Sequence, residues 1–340
     1  MAITFTSDLL PYENLMRSGY VEGLTHNVNI LNQGSNGTLR LESELTAGTL
    51  KKEAFWKDFL TFTRRDITVQ TALTAEKIER NEHTAFKTFW RTDPVEWLMT
   101  SFKTSDNMSD DEVVYMIGKK VAEKKIAYTV KQAIACVAAA IGSQTSLVVN
   151  HEDKNYSLSS QIKATAAFGD QSYKLKALIM HSAPFFTLFK DQMLNSKFTL
   201  GEGLMMFGGT PATMGLPVIV TDNSELMYTS ASDNQCYRTL LLTDSAVVLK
   251  DNGNTQFAKA QIVGYENLAS MFQCEGDMWN YVKGYQLKST AGTNPAYATL
   301  TSSSNWEMWV NDKSLTAGCL IKSQGDLDAV TQIMNVKVVS

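Results

Sequence analysis

Residues 109–142 read SDDEVVYMIGKKVAEKKIAYTVKQAIACVAAAIG, with no proline. Val113, Ile117, Val121, Ile126, Val130, Ile134, Val137 and Ile141 recur at steps of three to five, close to the helical period. Ser109 and Glu112 have the spacing of a capping box, in which each side chain satisfies a free backbone N–H of the other. Asp110 and Asp111 place negative charge at the positive end of the helix dipole. Gly142 is the expected C′ residue, free to turn left-handed. A helix of this length would run roughly 45–50 Å, several times the usual three turns. Periodicity alone fits a long core helix of many mixed folds, so the flanking segments have to narrow the choice.

On the N-terminal side, residues 1–35 read as extended and weakly structured, with one short helix bracketed by Pro11 and Gly19 and then an Asn- and Gly-rich loop. Such a segment needs another surface to lie against. Residues 38–45, TLRLESEL, alternate with the period of a strand. Residues 50–62 place Leu50, Phe55, Phe59 and Phe62 at helical spacing and predict a packing helix. Residues 64–91 predict a long polar hairpin with its tip near Asn81. An isolated two-stranded hairpin is marginal in water, so this one implies a partner surface.

On the C-terminal side, residues 157–169 predict a helix with an N-cap serine. Residues 172–181 predict a strand, and 182–194 a helix with Pro184 tolerated in its first turn. Residues 198–215 are a glycine-rich loop. Strands are expected at 215–222, at 237–253 around a turn near Asp244, and in the aromatic stretches that follow to about residue 320. Strands and helices do not alternate regularly, so the fold class is α+β rather than a doubly wound sheet.

The chain has 340 residues, 44% hydrophobic and 19% charged, with a net charge of -4. It can bury a large core, and it lacks the basic excess of a dedicated nucleic-acid binder. No apolar run reaches the length of a membrane span, and the first residues do not read as a secretory signal. Cys136, Cys236, Cys274 and Cys319 are scattered without a CxxC pair, which argues against a zinc site and for buried thiols in a reducing compartment. The four histidines form no metal-binding pair. GEGLMMFGG (201–209) is not followed by a helix pattern and does not match a dinucleotide fingerprint. Neither a Walker A loop nor a GxSxG elbow occurs. Asp110–Asp111 reads as capping, Glu152–Asp153 as a solvated turn, and His181–Ser182 as a packed or capping pair. No catalytic, cofactor-binding or metal site is expected, and no cofactor.

The order of these elements resembles the major capsid proteins of tailed bacteriophages, the Hong Kong 97-type capsid fold. GTLRLESELTAG, FWKDF and the Arg64–Arg65–Asp66 triplet resemble the lead into the extended loop of those coats. Residues 68–91 resemble the loop itself, and 109–142 the spine helix. LKALIMHSAPFFTLFKDQML, GLPVIVTD with YRTLLLTDSAVVL, and NPAYATLTSSSNWEM resemble later strands and helices in the same order. The residues beyond Gly325 have no counterpart in that pattern.

The resemblance implies an N-terminal arm at 1–36, an extended loop with its flanks at 37–100, and a peripheral domain with the spine helix at 101–156. It implies a mainly axial domain at 157–290, with sheet segments returning to the peripheral domain, and C-terminal strands at 291–340. It also implies a homo-oligomer of pentamers and hexamers in an icosahedral shell, located in the virion and assembled in the host bacterial cytoplasm. Such a shell encloses double-stranded DNA without sequence-specific binding or contact with a membrane, and has scaffold, portal and decoration proteins as possible partners. Arg64, Arg65, Lys77, Glu79, Arg80 and Glu82 are the expected inter-subunit contacts. An encapsulin-like compartment and a soluble enzyme are the alternatives.

Overall fold

The structure is a computed structural model, and it describes residues 6–43, 50–56, 64–65, 67–68, 70, 72, 80–98, 110–195, 215–264, 266–292, 294–310 and 312–325. It is α+β, with two sheets around one long helix. That helix, α2 (Asp110–Gly142), spans the expected stretch. Ser109 of the expected capping box lies outside the described residues. Gly142 is the last helical residue rather than a left-handed cap. The exit is made instead by Ser143 and Gln144, whose N–H groups donate to the carbonyls of Ala140 and Ile141, with the Ser143 hydroxyl also donating to Ala140.

The two halves of α2 do different things. From Gln132 to Ile141 every residue is buried, the signature of a helix enclosed on all sides. Alanines at 133, 135, 138, 139 and 140 keep this half thin enough for sheets to approach from both sides. The first sheet is built on β12 (Ala269–Val282), which pairs along one edge with β10 (Val247–Asp251) and β11 (Gln256–Ile262). Along its other edge lie β3 (Arg80–Arg91) and β4 (Val95–Leu98). Strand β1 (Leu39–Ser43) adds to β10 in parallel, as 38–45 predicted. The second sheet runs β5 (Val148–Asn155), β15 (Gly318–Gln324), β9 (Gln235–Thr243), β6 (Leu175–Met180) and β7 (Val218–Val220), with β8 (Met227–Thr229) also on β9. One core cluster unites the two sheets: Phe86, Val247, Leu249 and Val282 from the first meet Leu178, Leu240, Leu320 and Ile321 from the second, with Ile134, Val137 and Ile141 among them.

The N-terminal segment corrects the sequence reading. It is not extended: α1 (Thr6–Gly34) is a continuous helix lying along the N-terminal half of α2 in the same subunit. Its contact surface is made of small residues. A Cβ added at Gly19 would come within 2.6 Å of the Tyr115 carbonyl oxygen, and one at Gly118 would collide with that of Met16. One turn on, a Cβ at Gly23 would lie 3.1 Å from that of Ala122. Gly19 and Gly23 on α1 thus face Gly118 and Ala122 on α2, a pairing of small residues four apart that lets helix backbones touch. Gly19 had been read as a terminator because glycine weakens an isolated helix; packing against α2 reverses that sign. Met16 and Val114 then join Trp90, Phe272, Cys274 and Met278 in a second, smaller core cluster.

A second correction falls on residues 50–56; residues 57–62 of the expected helix lie outside the described residues. Leu50–Trp56 is a strand, β2, antiparallel to β3 with Leu50 opposite Phe86 and Trp56 opposite Arg80. Cross-strand pairing overrides the helical spacing of its aromatics. Asn81 consequently sits inside β3, opposite Phe55, and is not the tip of the hairpin. The connection between the two strands is residues 57–79. Residues 297–301 form a short helix, α5 (Tyr297–Thr301), where a strand was expected, before the short β14 (Trp306–Met308). The expected helices at 157–169 and 182–194 are α3 (Leu158–Ala166) and α4 (Ser182–Asn195). The glycine-rich 198–214 and the residues after Gly325 lie outside the described residues.

The helix pairing yields a direct test. Gly118→Val should cost about 2–3 kcal/mol by overpacking the contact with α1. Gly34→Ala, at a helical position with open space around it, should be neutral or stabilising by up to about 1 kcal/mol. Urea unfolding of the two variants checks the contrast; equal effects would mean that α1 does not dock through these glycines.

Candidate functional site

The site of interest in this chain is the set of anchors that fixes the hairpin and the N-terminal helix to the body. Lys125 is its centre. Helical phase places Lys125 in line with Val121 and Thr129, facing inward, while its neighbour Lys124 is exposed. Its side chain is 4% exposed. Nζ donates to Asp251 Oδ2 of β10 at 2.5 Å and to the Tyr20 hydroxyl of α1 at 2.5 Å, with Thr255 Oγ1 at 3.5 Å. It also stands 4.7 Å from the ring centroid of Trp90 on β3. One ammonium therefore ties α1, α2, β3 and the β10–β11 turn together. Burial pushes the Tyr20 phenol above its ordinary pKa, opposed by the charge on Lys125.

Two further buried contacts secure β3, the inner strand of the hairpin. Lys87 Nζ meets Asp277 Oδ2 at 2.5 Å, both side chains 7% exposed, and lies 5.3 Å from the Trp279 ring. Asn252 donates to the same carboxylate oxygen at 3.3 Å. Gln132 of α2 donates to Thr88 Oγ1 at 3.0 Å and to Asn280 at 3.4 Å, and Asn280 donates to Thr88 at 2.8 Å. Trp90 lies flat over Gly276, its cross-strand partner: a Cβ at Gly276 would come 2.6 Å from the indole ring. These groups were missed in the sequence because nothing local distinguishes a buried lysine from a solvated one. The usable signal was the inward phase of Lys125, shared with Val121, Thr129 and Gln132.

The contact residues expected from sequence divide into three groups. Arg64 and Arg65 are exposed, in the connection between β2 and β3, and Ile67 beside them is 83% exposed. Arg80 and Glu82 occupy β3 at the register positions opposite Trp56 and Ala54. Lys77 and Glu79 lie outside the described residues.

The groups that could have suggested catalysis have structural duties. His181 Nδ1 accepts the N–H of Ala183 at 3.2 Å, and Asp222 Oδ1 accepts that of Ser182 at 3.3 Å, so both cap the first turn of α4. Nε2 of His181 faces Asp222 at 3.6 Å. Ser182 Oγ lies 3.4 Å from the same Nδ1. Burial lowers the His181 pKa, with Asp222 opposing. His151 Nδ1 lies 2.6 Å from Ser160 Oγ, and its Nε2 accepts from Lys163 Nζ at 3.1 Å. Desolvation, then Lys163 and Lys154, lower its pKa, against the opposing Asp153. All four cysteines are buried and free, and burial pushes the Cys136 and Cys319 thiols up to about 12. Among the described residues, no three His, Cys, Asp or Glu side chains gather as metal ligands, and no helix is long and apolar enough to cross a membrane.

A long helix clasped between two sheets, with a hairpin carried on the outer strands of one of them, defines the chain as an α+β protein of the Hong Kong 97-type capsid fold. Three solved structures agree in fold. The capsid of cyanophage Pam1 superposes with a TM-score of 0.50 at 6% identity, covering 84% of this chain and 88% of that one. The capsid of Helicobacter pylori bacteriophage KHP30 gives 0.50 at 11%, covering 86% and 89%. Microbacterium phage Oxtober96 gives 0.51 at 10%, covering 85% and 90%. No curated protein matches at a significant level. The family description "Gp13-like: Major capsid protein 13-like" matches residues 8–320, and the chain belongs to this family. It is a phage major capsid protein, a structural component of the virion that assembles with copies of itself into the head shell.

Two tests follow from the anchors. Lys125→Met should destabilise the subunit by about 3–5 kcal/mol, because Asp251 is left without its counter-charge. Lys125→Met with Asp251→Leu should recover most of that loss; denaturant midpoints measure both. The histidines give a pH test. Both have pKa values lowered on folding, so the unfolded chain binds protons more readily and stability rises with pH. The contribution is complete above the ordinary histidine value of about 6.5 and is lost as pH falls below it. The urea midpoint should therefore drop between about pH 7.5 and 5.5, and His181→Asn with His151→Gln should flatten that slope.

Proposed function

We propose that this coat protein closes into an icosahedral head through pentamers and hexamers, enclosing double-stranded DNA without reading its sequence, and that assembly takes place in the host bacterial cytoplasm. We assign the second sheet, residues 148–243 with 318–324, to the axial domain that meets its neighbours at each cluster centre. The first sheet with α1 and α2 forms the peripheral domain. The observation that carries this reading is the family match over residues 8–320, joined to a hairpin whose base is fastened by buried charge while its connection is exposed at Arg64, Arg65 and Ile67. A part held so firmly at the root and left in solvent at its end is suited to reaching a neighbour. Arg64, Arg65, Lys77, Glu79, Arg80 and Glu82 are assigned to those contacts. The net charge of -4 suits enclosure without tight, salt-dependent gripping of phosphates. Scaffold, portal and decoration proteins remain possible partners of the assembled head in this reading.

Expression of the chain, with negative-stain microscopy and sedimentation of the product, tests the proposal. Closed particles of uniform diameter, or capsomer-sized rings that close on raising the concentration, are the expected result. A strictly monomeric species under every assembly condition would overturn it.

A further inference from the structure

The start of α3 gathers hydrogen-bond donors that have no acceptor. This helix lies across the second sheet on the side away from α2. Cys319 of β15 donates to the Ala164 carbonyl of α3 at 3.2 Å, while Leu320, next along the strand, points at Gly142 of α2. Alternation puts Ser323 on the α3 side with Cys319. His151 of β5 is opposite Ser323 in register, and its ring reaches α3. From there the hydrogen bonds run one way. Lys163 Nζ is a donor only, so His151 Nε2 accepts from it at 3.1 Å. The proton of the neutral ring is then on Nδ1, which donates to Ser160 Oγ at 2.6 Å. Ser160 is fully buried, and its own proton has one acceptor among the described residues, Ser157 Oγ at 3.2 Å. Ser157 ends the chain as a donor. It is the N-cap residue of α3, yet its side chain makes no capping bond. Beside it the N–H groups of Leu158 and Ser159 meet no acceptor among the described residues, while those of Ser160 and Gln161 donate to the Ser157 carbonyl. A further hydroxyl comes from beneath: Ser323 Oγ is fully buried and has no partner. Gln324, the next residue, accepts the N–H of Tyr156 at 3.1 Å, which brings Ser323 under the first turn of α3.

We propose that this end of α3 binds a phosphate group, held by the Ser157 hydroxyl, the N–H groups of Leu158 and Ser159 and the Ser323 hydroxyl, with Lys163 acting through His151 and Ser160. Donors converge there from a helix start and from the strand below it. A water molecule has two lone pairs to offer; an oxyanion has enough for all four donors and carries the charge that the helix dipole favours. The local field is positive although the whole chain has a net charge of -4. Lys163 and Lys154 both stand close enough to His151 to lower its pKa, and Asp153 is the opposing carboxylate. Lys163 matters twice, as a charge and as the group that orients every hydroxyl in the relay toward the ligand. Free inorganic phosphate and the phosphodiesters of DNA share this chemistry. Binding of either requires no assembly, so the site stands or falls apart from the capsid reading.

The test is titration of the full chain with inorganic phosphate, read by calorimetry and by melting temperature. Phosphate raises the melting temperature of the wild-type protein more than chloride does at equal ionic strength. Ser157→Ala and Lys163→Met each weaken phosphate binding about tenfold, the scale of one hydrogen bond to a charged group. Ser323→Ala removes a hydroxyl that has no partner in the free protein. It leaves the melting temperature in phosphate-free buffer unchanged and still weakens binding, so it carries the test should either of the other variants fail to fold. A short DNA duplex without terminal phosphates, followed by fluorescence anisotropy, separates the two sources. Duplex binding that is lost in the same variants assigns the site to a backbone phosphodiester; binding of inorganic phosphate alone assigns it to the free ion. A wild-type protein that responds to phosphate no more than to chloride, or variants that bind phosphate as the wild type does, would overturn the site.

Discussion

The fold depends on enclosing the C-terminal half of α2 between two sheets. Gln132 to Ile141 has no side facing solvent, so neither sheet is complete without the other. The alanines that make this half slender decide how closely the sheets approach. A sheet-to-sheet core on this scale fixes the second sheet relative to the first, and with it whatever the two present to neighbouring copies. The N-terminal half of α2 meets a different requirement. There the helix is half exposed, and it gains a partner from the same chain through the glycine contacts with α1. The polar anchors around Lys125 and Lys87 come at the seams. Buried ion pairs contribute little net stability compared with apolar packing, but each of these fixes one arrangement of strands and helices, because any slip would strand a charge out of water.

The sequence disclosed this architecture unevenly. The long helix was legible because its apolar positions repeat over nine turns with no proline, and its limits were found to within a residue. Strands such as β1, β6 and β9 were legible from alternation or continuous apolar runs. The helix α1 was not, because its packing face is built from glycines, which in a sequence read as breaks. Their role becomes visible only when Gly118 and Ala122, about a hundred residues later, are seen to face them. Strand β2 was misread for a related reason: the aromatics of 50–62 have helical spacing, and only the pairing of Leu50–Trp56 with β3 shows those residues to be a strand. Of the residues proposed for inter-subunit contact, Arg64 and Arg65 were named from charge and turn context and are exposed. The fastening of the hairpin by Lys87 and Asp277 could not be named, since these residues are far apart in sequence and each looks like a surface charge.

The correction at the N-terminus alters the picture of how the subunit completes itself. An arm that cannot bury itself would have to be supplied with a partner by a neighbour. As a helix sealed to α2 by backbone contact and by the Tyr20–Lys125–Asp251 link, it needs none along the part described. In the proposed reading the reach toward other copies falls to the β2–β3 connection. Among the described residues the helices and both sheets close on one another within one chain, which is consistent with a protein that folds alone and assembles afterwards.

The most direct measurement is hydrogen exchange on free subunits and on assembled particles. The account predicts that the amides of α1 are protected equally in both, while Arg64, Arg65 and Ile67 of the β2–β3 connection gain protection only on assembly. Rapid exchange throughout α1 in the free subunit, with protection appearing only in the particle, would contradict it.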